Sequence, residues 1–485
     1  MAGLVPATRS GMLTPSAECH PLGRWVWYGI LVRQLTILAV LLGTLVVPLD
    51  SAVNIDFPWI AAQFRLSIPQ IQWLVISYTL STASLMLVAG RVADMLGYRR
   101  VFLAGCCWSA VAFLLCGLAP AYGWLLAARV LQGAAAGLIL GGGPALITGL
   151  HAETARARAL GLYASVLGLG GAAGPLLGAL LIARFGWSAV FWSRAPIAGL
   201  ALLLGLALPR AAAPAARERF DLPGAALLVV AICTALAALN QARHAIVFVA
   251  LLIAAVLSAW GFVRQERRFR QPIIDIRLFL DRGFAMANAA NVLMNLCGFA
   301  VLLLLPFQLA RLPGLSFTAA GLLLAASPTA LMLAAPFAGY MTARLQPRRL
   351  MLLGSALASA GLLGVGRFAE QPALLALAAL LQGAGQGLFQ VAYLDLVTGA
   401  IPLRDRGVAG ALTMLTRTLG IVVGATLLML VFQAAEAAAA RYGTAPPAAF
   451  LVGFRAALVV GAAVAAMVAV AVAGSIRSPG RARST

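Results

Sequence analysis

The stretch GRVADMLGYRR at residues 90–100 decides the organisation of this chain, because a weaker copy, GYMTARLQPRR, recurs at residues 339–349. Two further segments recur in the same order and at nearly the same offset: LQGA at 131–134 and 381–384, and the basic segments at 156–158 and 404–406. Recurrence at one long offset indicates a repeated structural unit. The sequence therefore predicts two parallel copies of one bundle, with an insertion between them.

The composition around these repeats is that of a membrane protein. Of the 485 residues, 62% are hydrophobic and 10% are charged, and the mean hydropathy is +0.97. A soluble fold of this size would lack the charged residues to cover its surface, since soluble domains carry about 25%. These values exclude a soluble enzyme, a disordered chain and a disulfide scaffold, and they predict an all-α polytopic membrane protein.

Apolar runs long enough to cross a bilayer predict fourteen transmembrane helices. The predicted spans are 34–56, 71–93, 101–119, 122–149, 159–183, 187–208, 222–240, 245–263, 283–310, 317–343, 350–367, 372–400, 407–433 and 449–474. The repeats equate helices 1–6 with helices 9–14. We therefore expect a cytoplasmic N-terminal segment at 1–33, a six-helix bundle at 34–208, a linker with two inserted helices at 209–282, a second six-helix bundle at 283–474 and a cytoplasmic tail at 475–485.

The net charge of +21 indicates the orientation in the membrane. All basic charge comes from arginine, because the chain contains no lysine, and the arginines form short groups between apolar runs. This spread argues against a nucleic-acid-binding patch. On the predicted topology, 25 arginines lie on the face that carries both termini and 6 on the opposite face. Positive residues concentrate on the cytoplasmic side, so both termini are predicted to be cytoplasmic.

The loop after helix 2 carries the first functional motif. Gly90, Asp94, Gly97, Arg99 and Arg100 keep the spacing of a loop found in the major facilitator superfamily. Over nearly its whole length the chain resembles the fourteen-helix drug:proton antiporter branch of that superfamily. The resemblance implies a transporter of two six-helix bundles with a substrate site between them near the membrane midplane. It also implies that this loop latches the cytoplasmic gate.

Helices 1 and 4 contribute the second and third motifs. The segment LDSAVNIDFP at 49–58 resembles the LDxTVVNxALP motif of the branch, and RVLQGAAAG at 129–137 matches its RxxQGxxxG motif. Asp50 lies about 24 Å from the inner end of helix 1 and Arg129 about 10 Å from the outer end of helix 4, which are similar depths in a core of about 30 Å. We predict that this pair couples proton movement to transport, since an ionisable residue inside a span faces a partner or water. The alternative is that Asp50 marks the outer interface. Asp56 replaces an alanine and is interpreted as marking the outer interface.

The fourth motif lies in helix 5. The segment GLGGAAGPLLG at 168–178 resembles the GxxxGPxxGG antiporter motif, with Gly170, Gly174, Pro175 and Gly178 as its members. Proline removes a backbone hydrogen bond and bends a helix, and glycines allow helices to approach closely. The resemblance implies export.

Further polar residues inside the spans are candidates for the lining of a substrate cavity: Asn54, Gln132, Asn288, Asn291, Asn295, Gln382, Gln386, Gln390, Tyr393 and Arg417. Those of helix 9 share one helical face, and those of helix 12 form a similar stripe. A polar stripe in a membrane either lines a cavity or forms hydrogen bonds with a neighbouring helix. Both alternatives remain open from the sequence. Arg194 lies in helix 6 where the resembled branch has asparagine.

No motif of an enzyme or of a metal site is present. The sequence contains no GxxxxGK[ST], no HExxH and no GxSxG, and its six cysteines form no CxxC pair. We therefore expect no cofactor, no metal and no enzymatic activity. The expected partners are the lipid bilayer, protons and a small-molecule substrate, with no nucleic acid. Some members of the resembled branch work with a periplasmic adaptor, which nothing in this sequence supports.

Together these features predict a secondary transporter of the inner (plasma) membrane that exports small amphipathic compounds by alternating access, driven by proton entry. The alternatives are an uptake permease or facilitator on the same fold, and a non-transporting membrane scaffold or sensor. The helix 5 motif argues against uptake, and the polar stripes argue against a scaffold. Because Arg129, Arg194 and Arg417 lie within spans and Asp50 is the one acid placed there, we expect a positive cavity.

A reporter that is active only in the periplasm, fused after Thr485, tests the predicted orientation. We expect no reporter signal, because the arginine distribution places the C-terminus in the cytoplasm. The same reporter fused after Gly314, in the predicted outer loop between helices 9 and 10, is the positive control. A bright C-terminal fusion would contradict the topology with an even number of helices.

Overall fold

The structure is a computed structural model, and it describes residues 21–149, 156–208, 221–240, 245–268, 276–342, 344–400 and 406–477. In these residues all regular structure is helical. The α-helices are α1 (Pro21–Val46), α2 (Val53–Phe64), α3 (Ile68–Leu96), α4 (Tyr98–Gly117), α5 (Tyr122–Gly149), α6 (Arg156–Phe185), α7 (Ser188–Trp192), α8 (Arg194–Gly205), α9 (Leu222–Asn240), α10 (Ala245–Arg268), α11 (Arg282–Leu309), α12 (Phe317–Thr342), α13 (Pro347–Arg367), α14 (Pro372–Ala400), α15 (Arg406–Arg441) and α16 (Pro446–Arg477).

Thirteen helical segments within the described part of the chain are long and apolar enough to cross a bilayer. They coincide with thirteen of the fourteen predicted spans. Predicted helices 4 and 5 are α5 and α6, and predicted helices 9 and 12 are α11 and α14. The remaining predicted span, 222–240, forms α9, whose described apolar stretch is shorter, at 226–235. The all-α polytopic fold is thus confirmed, and the fourteenth crossing stays a prediction.

The first span differs most from its prediction. It continues from Gln34 to Phe64 instead of ending at residue 56. A 3₁₀ turn at Pro48–Ala52 interrupts it between α1 and α2. Proline has no N–H to donate to the carbonyl four residues earlier, so the α-helical pattern stops before Pro48. Asp50 lies inside this turn.

Two other helix ends differ more modestly. α1 begins at Pro21, so part of the segment predicted as a cytoplasmic extension, 1–33, is helical. The sixth span consists of α7 and α8, which a turn at Ser193 separates.

Because the spans alternate in direction, their connections fall on two faces. We call the face with the turns at 65–67, 118–121, 310–316 and 442–445 the distal face, and the face with both ends of the described chain the proximal face. Helices α1–α8 form the N-terminal half and α11–α16 the C-terminal half, while α9 and α10 pack against each other.

The two halves meet in the distal part of the molecule. α6 packs along α12, and α2 packs against α11. Trp59 and Phe317 contact each other with ring centroids 5.4 Å apart, and Gly321 packs closely on Pro175 and Ala179. One core of buried apolar residues consequently extends through both halves at this end.

Toward the proximal face the halves separate. The buried clusters in the proximal part of the N-terminal half consist of residues of that half alone, including Ala93, Phe102 and Ile147. Gly168 of α6 still packs on Met332 of α12. Closer to the proximal end of α6, residues 161, 162, 164 and 165 are exposed. Among the described residues, the contacts between the halves thus lie toward the distal face, and we call the space between the halves on the proximal side the opening.

Glycine permits the closest helix crossings, and the two copies of LQGA use it in the same way. Gly133 in α5 packs on the carbonyl group of Tyr78 in α3, and Gly383 in α14 packs on the carbonyl group of Ser327 in α12. A side chain at either glycine would collide with a backbone oxygen. Equivalent positions of the two sequence copies thus lie at equivalent crossings in the two halves.

Substituting Gly178 by alanine tests whether the contact between α6 and the turn at Pro48–Ala52 stabilises the fold. A Cβ atom at Gly178 would lie 2.7 Å from the carbonyl oxygen of Ala52. We expect Gly178→Ala to lower the free energy of unfolding by about 1–3 kcal/mol, as overpacking does. Gly171→Ala is the matched control, because nothing lies within 4 Å of a Cβ atom there. Equal thermal midpoints of the two purified variants in detergent would contradict the close crossing.

Candidate functional site

The interruption of the first span places a carboxylate in the middle of the helix bundle. Asp50 lies in the 3₁₀ turn at Pro48–Ala52, between α1 and α2. Its side chain is 12% exposed. A carboxylate buried to this degree is stable only with charged or hydrogen-bonded partners.

Arg129 of α5 is the first partner of Asp50. Its Nη1 and Nη2 donate to the two carboxylate oxygens at 2.6 and 2.9 Å, the two-point geometry in which a guanidinium binds a carboxylate most strongly. Its Nε donates to the carbonyl oxygen of Leu74 at 3.0 Å, and its guanidinium lies over the Tyr78 ring at 4.5 Å. Gln132 donates to Asp50 Oδ1 at 2.8 Å. The structure thus places in direct contact the two residues whose depths agree in the sequence.

Arg194, the first residue of α8, supplies a second guanidinium group, which sequence reasoning did not connect with Asp50. Its Nη1 donates to Asp50 Oδ1 at 2.8 Å, and its Nε donates to the carbonyl oxygen of Val190 at 3.0 Å. The guanidinium is buried and lies 4.6 and 5.2 Å from the ring centres of Phe113 and Phe191. The sequence contained one signal for this contact: an arginine inside a transmembrane span needs an acidic partner, and few acids lie inside the spans.

We call Asp50, Arg129, Gln132 and Arg194 the Asp50 cluster. One carboxylate and two guanidinium groups leave one positive charge in excess. Charges interact strongly here because the interior has a much lower dielectric constant than water, and removing one partner of a buried pair is costly. The arrangement of the cluster therefore depends on whether Asp50 carries its charge.

Asp56 does not mark the outer interface, so that interpretation of the sequence is wrong. The residue is 0% exposed, and neither of its carboxyl oxygens has a hydrogen-bond partner. The interpretation fails because α2 continues to Phe64, which extends the span by about two helical turns beyond Asp56.

The antiporter-like motif of α6 packs against the turn that carries Asp50. Three of its glycines face three residues of the first span: Gly170 faces Pro48, Gly174 faces Ser51 and Gly178 faces Ala52. A side chain at these positions would have to displace the turn. The small residues of the motif thus fix the distance between α6 and the Asp50 cluster.

Pro175 adds a hydrogen bond between α6 and the same turn. Because proline has no N–H, the carbonyl group of Gly171 has no donor four residues later in α6. The hydroxyl of Ser51 donates to this carbonyl oxygen at 3.0 Å. The carbonyl group of Pro175 itself packs on Gly321 of α12. α6 therefore connects the turn of the Asp50 cluster with the C-terminal half.

The predicted gating loop joins α3 and α4 at the proximal face. Gly97 has a φ of +93°, in the region that favours glycine. Arg99 donates to the carbonyl oxygen of Leu206 at 2.9 Å, and Arg100 is exposed. The side chain of Asp94 lies outside the described residues, so the latch role of this loop stays a prediction.

Several cavity candidates of the C-terminal half bond to neighbouring helices instead of facing open space. The hydroxyl of Tyr393 in α14 donates to Asn288 of α11 at 2.9 Å, and Asn291 of α11 donates to the hydroxyl of Thr416 in α15 at 2.8 Å. Asn288, Asn291 and Tyr393 are buried. For these three residues the interhelical alternative holds in this structure, because a buried polar group is stable only when it is paired.

The other cavity candidates include two buried, hydrogen-bonded residues and four partly exposed ones. Gln382 of α14 is buried and accepts a hydrogen bond from Ser327 of α12 at 2.5 Å, and Gln132 is buried in the Asp50 cluster. Four candidates stay partly exposed: Asn54, Asn295, Gln386 and Gln390. These four remain available to line a cavity in this structure.

Arg417 of α15 lies on the opening between the halves. Its side chain is exposed, although it lies within electrostatic range of Tyr78 on the opposite half. The Tyr78 ring in turn supports the guanidinium of Arg129. The opening thus has a positive charge on its wall close to the Asp50 cluster.

Known proteins resemble this chain over most of its length. The profile of the Major Facilitator Superfamily matches residues 40–306 and 287–485. The riboflavin transporter RibZ of Clostridioides difficile (strain 630) is 28% identical over 396 residues, which cover 81% of this chain and 86% of that protein. The tetracenomycin C resistance and export protein of Streptomyces glaucescens is 29% identical over 401 residues, which cover 81% of this chain and 74% of that protein.

Solved structures share the fold. A bacterial homolog to the human lysosomal transporter Spinster, in an inward-facing and unoccupied conformation, matches with a TM-score of 0.67 at 16% sequence identity. The match covers 93% of this chain and 99% of that chain.

Proposed function

The chain belongs to the major facilitator superfamily, and on this premise we propose that it exports small amphipathic compounds in exchange for protons. It is a multi-pass membrane transporter of that superfamily. The observation that carries the proposal of proton coupling is the Asp50 cluster, in which one carboxylate binds two guanidinium groups at the break of the first span.

A proton that binds to Asp50 changes the balance of forces in the cluster. The carboxyl group becomes neutral, and the ion pairs with Arg129 and Arg194 are lost. The two guanidinium groups then repel each other with no anion between them, in surroundings of low dielectric constant. The turn at Pro48–Ala52 is no longer held to α5 and α8, and it can move relative to them.

The packing of α6 transmits this movement to the interface between the halves. Ser51 of the turn is bonded to the carbonyl group of Gly171, and Pro175 packs on Gly321 of α12. A displacement of the turn therefore reaches the distal contact at which the halves close. Such a link between the charge of a site and the open face is what alternating access requires.

Export is supported by two observations. The motif that packs on the Asp50 turn resembles the antiporter motif, and one relative is named a resistance and export protein. Another relative is named a riboflavin transporter, a name that gives no direction, and uptake of a small molecule is the second candidate function. Transport measured in both directions with inverted and right-side-out vesicles distinguishes the two.

We further propose that the proximal face is cytoplasmic and that the protein lies in the inner membrane.

The proposed substrate site is the opening between the halves. We propose that its polar lining consists of the exposed Arg417 and of the partly exposed Asn54, Asn295, Gln386 and Gln390. Ligand sites combine apolar walls with a few polar groups that orient the ligand.

Neutralising Asp50 tests proton coupling. In proteoliposomes that contain Asp50→Asn, we expect export driven by a proton gradient to fall by about tenfold or more, because the amide cannot alternate between a charged form that pairs with both arginines and a neutral form that does not. The measurement is the initial rate of substrate movement with and without a protonophore.

The matched control is Glu370→Gln. This change also removes one carboxylate from an ion pair, since Glu370 binds Arg455 at 3.2 Å, but the side chains of Glu370 and Arg455 are 62% and 43% exposed. We expect it to keep full export, because exposed pairs contribute about 0–1 kcal/mol. Full gradient-driven export by Asp50→Asn, in a variant that elutes as a folded protein, would refute the role of Asp50.

The charge of the opening predicts substrate preference. The Asp50 cluster carries one excess positive charge and Arg417 adds another, so a multivalent cation is repelled while neutral or anionic amphiphiles are not. The measurement is competition against a transported compound in proteoliposomes. Strong inhibition by quaternary ammonium dyes, together with no effect of acidic or neutral amphiphiles, would show that the charge argument is wrong.

A further inference from the structure

A second carboxyl group lies in the first span and takes no part in the ion pairs of the Asp50 cluster. Asp56 of α2 is 0% exposed, and both of its carboxyl oxygens lack a hydrogen-bond partner. An ionised carboxylate that is buried without partners loses its hydration and gains nothing in return. The group is therefore stable in this conformation only when it holds a proton.

The charged groups that act on Asp56 are Arg194 and Asp50. Among the helices that pack against α2, residues 283–309 of α11 and the whole of α12 contain no charged residue. α6 carries Arg184 at its exposed distal end, while its other arginines, Arg156 and Arg158, belong to its proximal end. The titratable group that α3 brings to this region is Tyr78, which interacts electrostatically with the charged members of the Asp50 cluster and with Arg417. Within the part of the chain that the structure describes, Arg194 is thus the cation that interacts with Asp56.

Arg194 has a donor to spare. Its Nη1 binds Asp50 and its Nε binds the carbonyl group of Val190, but its buried Nη2 has no hydrogen-bond partner. A guanidinium group is planar and offers donors in two directions. Arg194 therefore pairs with Asp50, interacts electrostatically with Asp56, and keeps one guanidinium nitrogen without a hydrogen-bond partner.

We propose that Asp56 is a second proton-binding site of the transport cycle, and that Arg194 shifts from Asp50 toward Asp56 when Asp56 releases its proton. This inference rests on the proposed proton-coupled function. On release, the O–H bond of Asp56 breaks, the proton passes to water, and the new carboxylate is paired by Arg194. On binding, the reverse occurs, and Arg194 returns to Asp50 as in this structure. Asp50 keeps Arg129 throughout this exchange.

The first experiment measures the protons moved per substrate molecule in proteoliposomes. We expect Asp56→Asn to keep gradient-driven transport but to move one proton fewer per substrate, because the amide imitates only the protonated state. The matched control is Asp395→Asn, which changes an exposed carboxylate of α14 and should leave the ratio unchanged. An unchanged ratio in Asp56→Asn would overturn the proposal.

The second experiment observes the proton without transport. The infrared C=O band of a protonated carboxylic acid should be present in the detergent-solubilised wild type, absent in Asp56→Asn and retained in Asp395→Asn. We expect this band to disappear at a higher pH in Arg194→Gln than in the wild type, and Arg194→Lys to restore most of the original pH profile. A band that is missing in the wild type, or that is indifferent to Arg194→Gln, would overturn the proposal.

The two experiments separate this inference from the proposed function. If the wild type moves substrate without protons while the infrared band still depends on Asp56, the coupling function fails and Asp56 remains a protonated group without a transport role. If proton coupling holds and Asp50→Asn abolishes it while Asp56→Asn changes neither the ratio nor the band, the proposed function stands and the second site is refuted.

Discussion

The ion pairs of Asp50 with Arg129 and Arg194 constrain the whole N-terminal half. Burial removes two guanidinium groups and a carboxylate from water, and this is stable only if each group is paired inside the protein. The first span must therefore break at Pro48, so that Asp50 lies in a turn that three helices can reach. α5 must approach α3 closely, which Gly133 permits, so that Arg129 also reaches the carbonyl group of Leu74.

The two halves have diverged in the kind of polar interaction that they contain. In the N-terminal half Gln132 donates to a carboxylate, whereas its counterpart in the second copy, Gln382, accepts from the hydroxyl of Ser327. The C-terminal half joins α11, α14 and α15 through neutral groups, including the bond from Tyr393 to Asn288. One half therefore contains a charge-sensitive cluster, while the other contains a network that a change of pH near neutrality leaves intact. α6 lies between them and contacts both.

Sequence reasoning predicted the helical spans and the repeat because apolar length and recurring motifs are one-dimensional properties. It also predicted the pair of Asp50 and Arg129, since depth along a helix follows from residue count. It missed Arg194 because residue count says nothing about which way a side chain points around its helix. It misplaced Asp56 because the 3₁₀ turn lets the first span continue to Phe64. The polar residues of predicted helices 9 and 12, which are α11 and α14, could not be assigned from the sequence to a cavity or to interhelical hydrogen bonds, since their partners lie on other helices.

The excess of one guanidinium group over carboxylates has a consequence for the response to membrane voltage. When a molecule that opens toward the proximal face closes there and opens at the other face, access to the buried Asp50 cluster changes sides, and the charge of the cluster moves relative to the electric field. One elementary charge that crosses a potential of about 100 mV changes the energy by about 2.3 kcal/mol. With the interior of the cell negative and the proximal face cytoplasmic, as proposed, the field favours the proximally open state. On the proposed transport cycle, the voltage thus contributes to the return of the protein to the proximally open state after each turnover.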